Sequence, residues 1–182
     1  MKKSQWKTLS SKVVYQNPWL KLRENSVIRP NGQKGIYAVI ERGGSVFIVA
    51  MNTKKEIFFV GQHRYTTNMY SLEIPAGGLD NEKPLVAAKR ELWEETGLKS
   101  KKWKQIGKIQ INNGNFADIG YVYLAQDVYQ TFENRQEEEG IENVQKLSFT
   151  KVCDLIQKGK ITDCPSLAAL LMALPFLKNS RS

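Results

Sequence analysis

Histidine, cysteine and long apolar runs are all scarce in this chain. With one histidine, His63, among 182 residues, a zinc site built on several imidazoles is excluded, and a histidine-centred triad would rest on that residue alone. His63 therefore reads as a structural or surface residue, and proton transfer falls more naturally to a carboxylate. The two cysteines, Cys153 and Cys164, are too few for a disulfide framework and lack the close pairing of a zinc knuckle. They read as packing residues in a reducing compartment. No apolar run approaches the ~20 residues that cross a bilayer, and the basic start over residues 1–7 lacks the apolar segment of a secretory leader. A cytoplasmic protein with no membrane partner is expected. Internal repeats, low-complexity stretches and long linkers are absent from the sequence as well.

Acidic residues are in the minority, 18 against 27 basic ones, which leaves a net charge of +9. The excess is strongest before residue 40, where Lys2, Lys3, Lys7, Lys12, Lys21, Arg23, Arg29 and Lys34 stand against Glu24 alone. Such a balance suits polyanions, whether nucleotides or nucleic acid, and equally suits plain solubility. No basic–aromatic RNA motif accompanies it, so nucleic acid is not the expected partner. A hydrophobic fraction of 41% and a charged fraction of 25% are those of a globular chain with a sizeable core.

Against that background one acidic cluster stands out. Glu91, Glu94 and Glu95 recur at i, i+3 and i+4, so on a helix they share one face. Like charges at that spacing repel by about a few tenths of a kcal/mol per pair even when exposed. A cation among them removes the repulsion, and hard divalent ions such as Mg²⁺ take carboxylates together with substrate phosphates. Just before them, Ala76-Gly77-Gly78-Leu79-Asp80-Asn81-Glu82 reads as a loop feeding the helix.

The surrounding pattern is strands, one helix, strands, then helices. Strands are predicted over Gly35–Glu41, over Ser45–Met51 with a hairpin partner Glu56–Gln62, and over Tyr70–Ile74. A helix is predicted over Lys83–Thr96, with Asp80 or Asn81 as N-cap, Pro84 in the first turn, Gly97 as its stop and Leu85, Ala88 and Leu92 as its apolar face. Strands follow near Lys104–Ile111 and Ile119–Asp127, then a polar loop over Tyr129–Asn143, a strand over Val144–Phe149 and a helix over Lys151–Lys158. An apolar helix over Ser166–Leu174 closes the pattern, with Pro165 at its start and Pro175 ending it. The order implies an α+β fold, an α/β/α sandwich around a mixed sheet rather than a doubly wound parallel sheet. Residues 1–40 read as N-terminal strands and 41–182 as the main domain.

The stretch Gly77 to Leu98 resembles the Nudix hydrolase signature: Gly, five residues, Glu, seven residues, then Arg-Glu-aliphatic-any-Glu-Glu-any-Gly-aliphatic. Glu82, Arg90, Glu91, Leu92, Glu94, Glu95, Gly97 and Leu98 match without a gap. Gly77 stands one residue closer to Glu82 than the pattern asks, so the loop is one residue short and the path of its carbonyls is left open. Leu72-Glu73-Ile74-Pro75-Ala76-Gly77, Gln62-His63-Arg64-Tyr65 and Gly159-Lys160-Ile161-Thr162-Asp163 resemble the branch of the family that contains ADP-ribose pyrophosphatases and nucleoside-diphosphate-sugar hydrolases. The resemblance spans residues from about 12 to 176.

That resemblance implies a set of roles. Glu91 and Glu95 are the expected main metal ligands, Glu94 an auxiliary ligand counted also among the catalytic residues, and Ala76 a ligand through its carbonyl, with Mg²⁺ as the cofactor and Mn²⁺ as an alternative. Arg90 steadies the helix by pairing with Glu82 or Glu94. Gly77, Gly78 and Gly97 serve backbone conformation. Arg64 and Glu73 are the substrate-binding candidates, each with an ion-pair reading beside it. The general base is Glu137 or Glu139, with Glu139 preferred. Tyr15, Trp19, Tyr37 or Phe47 offers an adenine surface. The implied activity is hydrolysis of the diphosphate bridge of a small nucleoside diphosphate derivative, ADP-ribose first and a nucleotide sugar next, by a homodimer. A catalytically idle nucleotide-binding regulator and an RNA-end-trimming enzyme are the remaining alternatives; the intact glutamate triplet argues against the first.

Overall fold

The structure, a computed structural model, describes residues 5–131 and 133–177. Lys2 and Lys3, counted above among the N-terminal cations, lie outside them. The chain divides into two compact units, one of residues 1–44 with 110–119 and one of 45–109 with 120–182.

In the first unit, β1 (Lys7–Gln16), β2 (Lys21–Ile28) and β3 (Lys34–Glu41) form an antiparallel meander in that order. The Pro30-Asn31-Gly32 turn closes its second hairpin: Arg29 N–H donates to Gln33 O at 2.8 Å, and Gly32 takes the left-handed φ of 82° that favours glycine. The segment 110–119 bonds alongside β3. Ile40 N–H donates to Asn115 O at 2.8 Å, and the Tyr37 hydroxyl donates to Gly114 O at 2.5 Å. β1 is an edge strand exposed along its whole length.

The second unit is built on a mixed sheet. Its elements are β4 (Ser45–Met51), β5 (Ile57–Arg64), β6 (Met69–Glu73), β7 (Ala76–Gly78), α1 (Pro84–Thr96), β8 (Leu98–Lys99), β9 (Lys102–Ile109), β10 (Gly120–Gln126), β11 (Tyr129–Gln130), β12 (Asn143–Leu147), α2 (Phe149–Gln157) and α3 (Cys164–Leu177). β4 runs parallel to β10, while the β9–β10, β5–β12 and β5–β6 pairs are antiparallel. β4 is apolar throughout because both of its faces are covered. Val46, Ile48 and Ala50 join Ala87, Ala88 and Leu92 of α1 in one core cluster. The alternate residues Phe47, Val49 and Met51 point to the opposite face by the period-2 rule, and α3 packs against β4 and β9. Helices on both sides of a mixed sheet give the expected α+β sandwich.

Four local expectations need correction. The β4–β5 hairpin exists only at Met51↔Ile57. Beyond it the strands part, β5 takes β6 as its neighbour, and β7 fills the gap against Ser45–Phe47. The α1 cap is Lys83, which supplies no side-chain hydrogen bond; Asp80 and Asn81 are spent on a turn before it. Leu85 is exposed, and Ala87 takes its place beside Ala88 and Leu92 on the buried face. α3 passes through Pro175 to the buried Leu177, losing one hydrogen bond in its last turn rather than ending. Gly97, in contrast, stops α1 as expected, at φ 68°, with its N–H donating to Trp93 O at 2.8 Å.

The corrected face of α1 gives a direct comparison. Leu92→Ala should lose about 2–5 kcal/mol of stability, and Leu85→Ala less than about 1 kcal/mol, read by urea denaturation with an unchanged m-value. Equal losses would restore the face expected from sequence.

Candidate functional site

The site begins where the loop from β7 passes over the last two turns of α1. Gly77 is there for space rather than for a special φ: a Cβ on it would stand 2.1 Å from the carboxyl carbon of Glu91. The loop then turns sharply at Leu79–Glu82. Glu82 N–H donates to Leu79 O at 2.7 Å, and Asp80 and Asn81 sit between them at φ 49° and 66°. Two successive left-handed residues make a turn of the I′ kind, which aspartate and asparagine tolerate better than other side chains. This turn is how the short loop still reaches the helix.

Arg90 fastens the loop down. Its Nε donates to Glu82 at 2.8 Å, its Nη1 to Glu91 at 2.8 Å and Glu94 at 2.9 Å, and its Nη2 to Asp80 at 2.9 Å and Gly78 O at 3.1 Å. Burial works against its charge, but the hydrogen bonds it donates to Glu82 and Glu94 and the charge of Glu91 outweigh it, and its pKa moves further up. Arg90 is therefore a permanent cation with every donor engaged.

Glu91, Glu94 and Glu95 are all buried, each less than a tenth exposed. Burial is the largest influence on Glu91 and pushes its pKa up to about 7. The charge and hydrogen bond of Arg90 oppose the rise, while Glu94 and Glu139 add to it. Burial likewise pushes Glu95 up to about 8, against the pull of the Ala76 N–H, which donates to it at 2.9 Å, and with Glu91 and Glu139 adding. Arg64 lowers Glu95 through its charge. Glu139 thus acts on both Glu91 and Glu95, Arg64 acts on Glu95, and the Ala76 N–H binds Glu95 directly.

Arg64 and Glu73 are a pair. The Arg64 Nε donates to Glu73 Oε1 at 2.9 Å and its Nη2 to Oε2. Burial disfavours the Glu73 carboxylate, but the Arg64 bonds outweigh it and lower the pKa. Nη1 of Arg64 has no partner among the described residues, and the side chain is 45% exposed. The two candidate bases, Glu137 and Glu139, are both exposed residues of one turn; of the two, Glu139 carries a charge felt by Glu91 and Glu95.

Sequence reasoning overlooked Arg135. Its N–H donates to Glu94 O at 2.9 Å, its guanidinium stands 3.5 Å from the Glu94 carboxylate, and it lies 5.8 Å from the Trp93 ring centroid. An isolated arginine in an acidic loop carries no spacing signal, so nothing short of the fold reveals it. Phe47 is buried and drops out as an adenine surface; Tyr15 and Trp19 are exposed.

Among the described residues no three His, Cys, Asp or Glu side chains already converge as a cation cage, because Glu94 is turned onto Arg90 and Arg135. The donor set nonetheless fits a hard divalent ion: it is all oxygen, and Glu91 and Glu95 are buried carboxylates whose charge is left incompletely balanced.

Comparisons with known proteins follow this geometry. A model of the NUDIX domain matches residues 41–169, and one of the nucleoside diphosphate sugar hydrolase N-terminal domain matches residues 6–40. The chain is similar to an ADP-ribose pyrophosphatase of Bacillus subtilis, 27% identical over 172 residues covering 93% of each chain. It is also similar to an ADP-ribose pyrophosphatase of Mycobacterium tuberculosis, 35% identical over 127 residues, 69% of this chain and 61% of that one. In fold it matches the crystal structure of an ADP compounds hydrolase with a TM-score of 0.82 at 19% identity, over 98% of this chain and 97% of that one.

The raised carboxylates set a pH dependence. Glu91 and Glu95 titrate at about 7 and about 8 in the folded chain, above the ~4.3 of an unfolded glutamate. Between those values the folded state holds more protons than the unfolded one, so stability falls as pH rises. In chelator-treated protein the melting temperature should drop from pH 5 to pH 8, and Glu95→Gln should flatten that drop. A flat wild-type profile, followed by scanning calorimetry, would remove the argument.

Proposed function

Because the chain belongs to the NUDIX family and is a Nudix hydrolase, we propose that its substrate is ADP-ribose, cleaved at the diphosphate bridge to AMP and ribose 5-phosphate. The observation that carries this reading is the pair of buried carboxylates Glu91 and Glu95 against the Ala76–Gly77 loop, with the charge of Glu139 acting on both and that of Arg64 on Glu95. Glu91 and Glu95, with Glu94 as auxiliary and Ala76 through its carbonyl, hold Mg²⁺, or Mn²⁺ in its place. When bound, the ion neutralises phosphate oxygens and lowers the pKa of a coordinated water. Arg64 is held by Glu73 at two of its nitrogens, which leaves Nη1 for the diphosphate, a geometry suited to phosphate recognition. Glu139 takes the proton of the attacking water; Glu137, in the same turn, is its stand-in. Water adds to one phosphorus and the bridging bond breaks, which gives two monophosphates.

A nucleotide sugar is the second reading, favoured by the match of residues 6–40 to the nucleoside diphosphate sugar hydrolase N-terminal domain. The active species is a homodimer joined through the N-terminal strands; the long exposed edge of β1, with Leu9, Val13 and Tyr15 about half exposed, supports this part. A cytoplasmic setting completes the proposal, supported by the free thiols Cys153 and Cys164.

Incubation with Mg²⁺ and a panel of ADP-ribose, nucleotide sugars, dinucleoside polyphosphates and capped RNA should release AMP fastest from ADP-ribose. No turnover of any of them would sink the hydrolase reading. Glu95→Gln should lower kcat by more than the ~100-fold that loss of a supporting contact around a metal costs, with no loss of melting temperature; surviving activity would overturn the ligand assignment. For the dimer, light scattering behind size-exclusion chromatography should give the mass of two chains at micromolar concentration, and the mass of one chain would refute it.

A further inference from the structure

The loop that carries Glu139 is tied to the body of the second unit at both ends. At its start, Thr131 N–H donates to Gly97 O at 2.8 Å and Arg135 N–H donates to Glu94 O at 2.9 Å, so this end rides on the C-terminal turn of α1. At its far end, Glu142 N–H donates to Gly61 O at 2.9 Å. The Glu142 carboxylate then turns back onto β5, where its Oε1 accepts from the His63 N–H at 3.0 Å and meets the His63 ring Nδ1 at 2.5 Å.

That second anchor is built across three strands. His63 stands opposite Tyr70 on β6, and the two rings meet edge to face with centroids 5.6 Å apart. The Tyr70 hydroxyl accepts from Asn143 Nδ2 at 2.8 Å, on β12. Tyr70 reaches Asn143 only by crossing β5 above Gly61, where a Cβ would lie 2.0 Å from the Tyr70 oxygen. Gly61, His63, Tyr70 and Asn143 therefore share one face of the sheet by register. The arrangement is polar, mostly exposed and contributes nothing to the core. Three strands and the only histidine of the chain are organised around one loop carboxylate, Glu142, three residues from Glu139.

We propose that His63 is a positioning residue: by holding Glu142 it fixes the loop over residues 135–142, and so the place of Glu139 against Glu91 and Glu95. The proposal rests on the hydrolase reading above. Its chemistry is simple. Glu142 Oε1 meets two donors of one residue, the His63 backbone N–H and, in the Nδ1–H form of the ring, Nδ1. Asparagine places an amide N–H near the position of Nδ1, whereas alanine places none. Misplacing a reacting group by about 1 Å can cost on the order of 100-fold in rate, so the loop needs only slight loosening for the effect to be read.

The test compares wild type with His63→Ala, His63→Asn, Glu142→Ala and the double variant His63→Ala/Glu142→Ala. Amide hydrogen exchange over residues 135–142 should speed about tenfold or more in His63→Ala while α1 is unchanged. With ADP-ribose and Mg²⁺, kcat should fall about 10–100-fold at nearly constant KM. His63→Asn should restore both readouts, and the double variant should be no worse than either single one, since each removes the same tie. An active wild type whose His63→Ala variant keeps its kcat, or its loop protection, overturns the positioning role. A wild type that turns over none of the diphosphates fails the hydrolase reading instead; unchanged loop exchange in His63→Ala would then overturn the positioning role on its own.

Discussion

Everything in the site hangs from the guanidinium of Arg90. Five donors in a rigid fork reach a loop residue before the helix, Glu82, two carboxylates on the helix, Glu91 and Glu94, and two points on the turn, Asp80 and Gly78 O. No lysine, with its three donors on one point charge, spans that set. With Arg90 in place, the loop is pressed so closely onto α1 that Gly77 has no room for a side chain over Glu91. The same cation partly balances a helix edge that otherwise stacks acid upon acid.

The balance is deliberately incomplete, and its incompleteness is local. Glu94 is satisfied by Arg90 and Arg135. Glu91 shares Arg90 but remains shifted upward, and Glu95 has one backbone N–H and a distant Arg64 to oppose its burial. Burying ionised carboxylates costs several kcal/mol each unless they are paired or bind a metal. The unrelieved pair, Glu91 and Glu95, is therefore where a divalent ion gains most. The negative charge of Glu139 adds to the demand, and Arg64 opposes it at Glu95.

The sequence showed the helix, its acidic edge and its glycine stop, because spacing along one helix is a local property. It showed Arg90 as a tie but not the breadth of the tie, since Asp80 and Gly78 join it only once the turn folds. The turn reads as a cap in the sequence because aspartate and asparagine serve both purposes, and only the fold spends Asp80 and Asn81 on left-handed turn positions. The β4–β5 hairpin is shorter than its sequence predicts for a similar reason. A polar turn between two apolar strands predicts pairing, yet the competition from β6 and β7 for those edges is nowhere in the local pattern. Arg135 and the His63–Glu142 tie are contacts between distant stretches of chain, so no periodicity carries them.

β5 shows why these distant contacts matter together. Its side chains alternate, and with that alternation the strand serves two loops at once. Arg64 lies on one face, locked by Glu73 and reaching toward Glu95. His63 lies on the other, holding the carboxylate that ends the Glu139 loop. A one-residue slip of β5 would exchange the two faces, moving Arg64 away from Glu73 and His63 away from Glu142, and with them the proposed phosphate contact and the tie of the loop that carries the proposed base. Register is therefore as much a part of this site as any carboxylate, and it is pinned by β6 and β12, the two strands from which Tyr70 and Asn143 meet above Gly61.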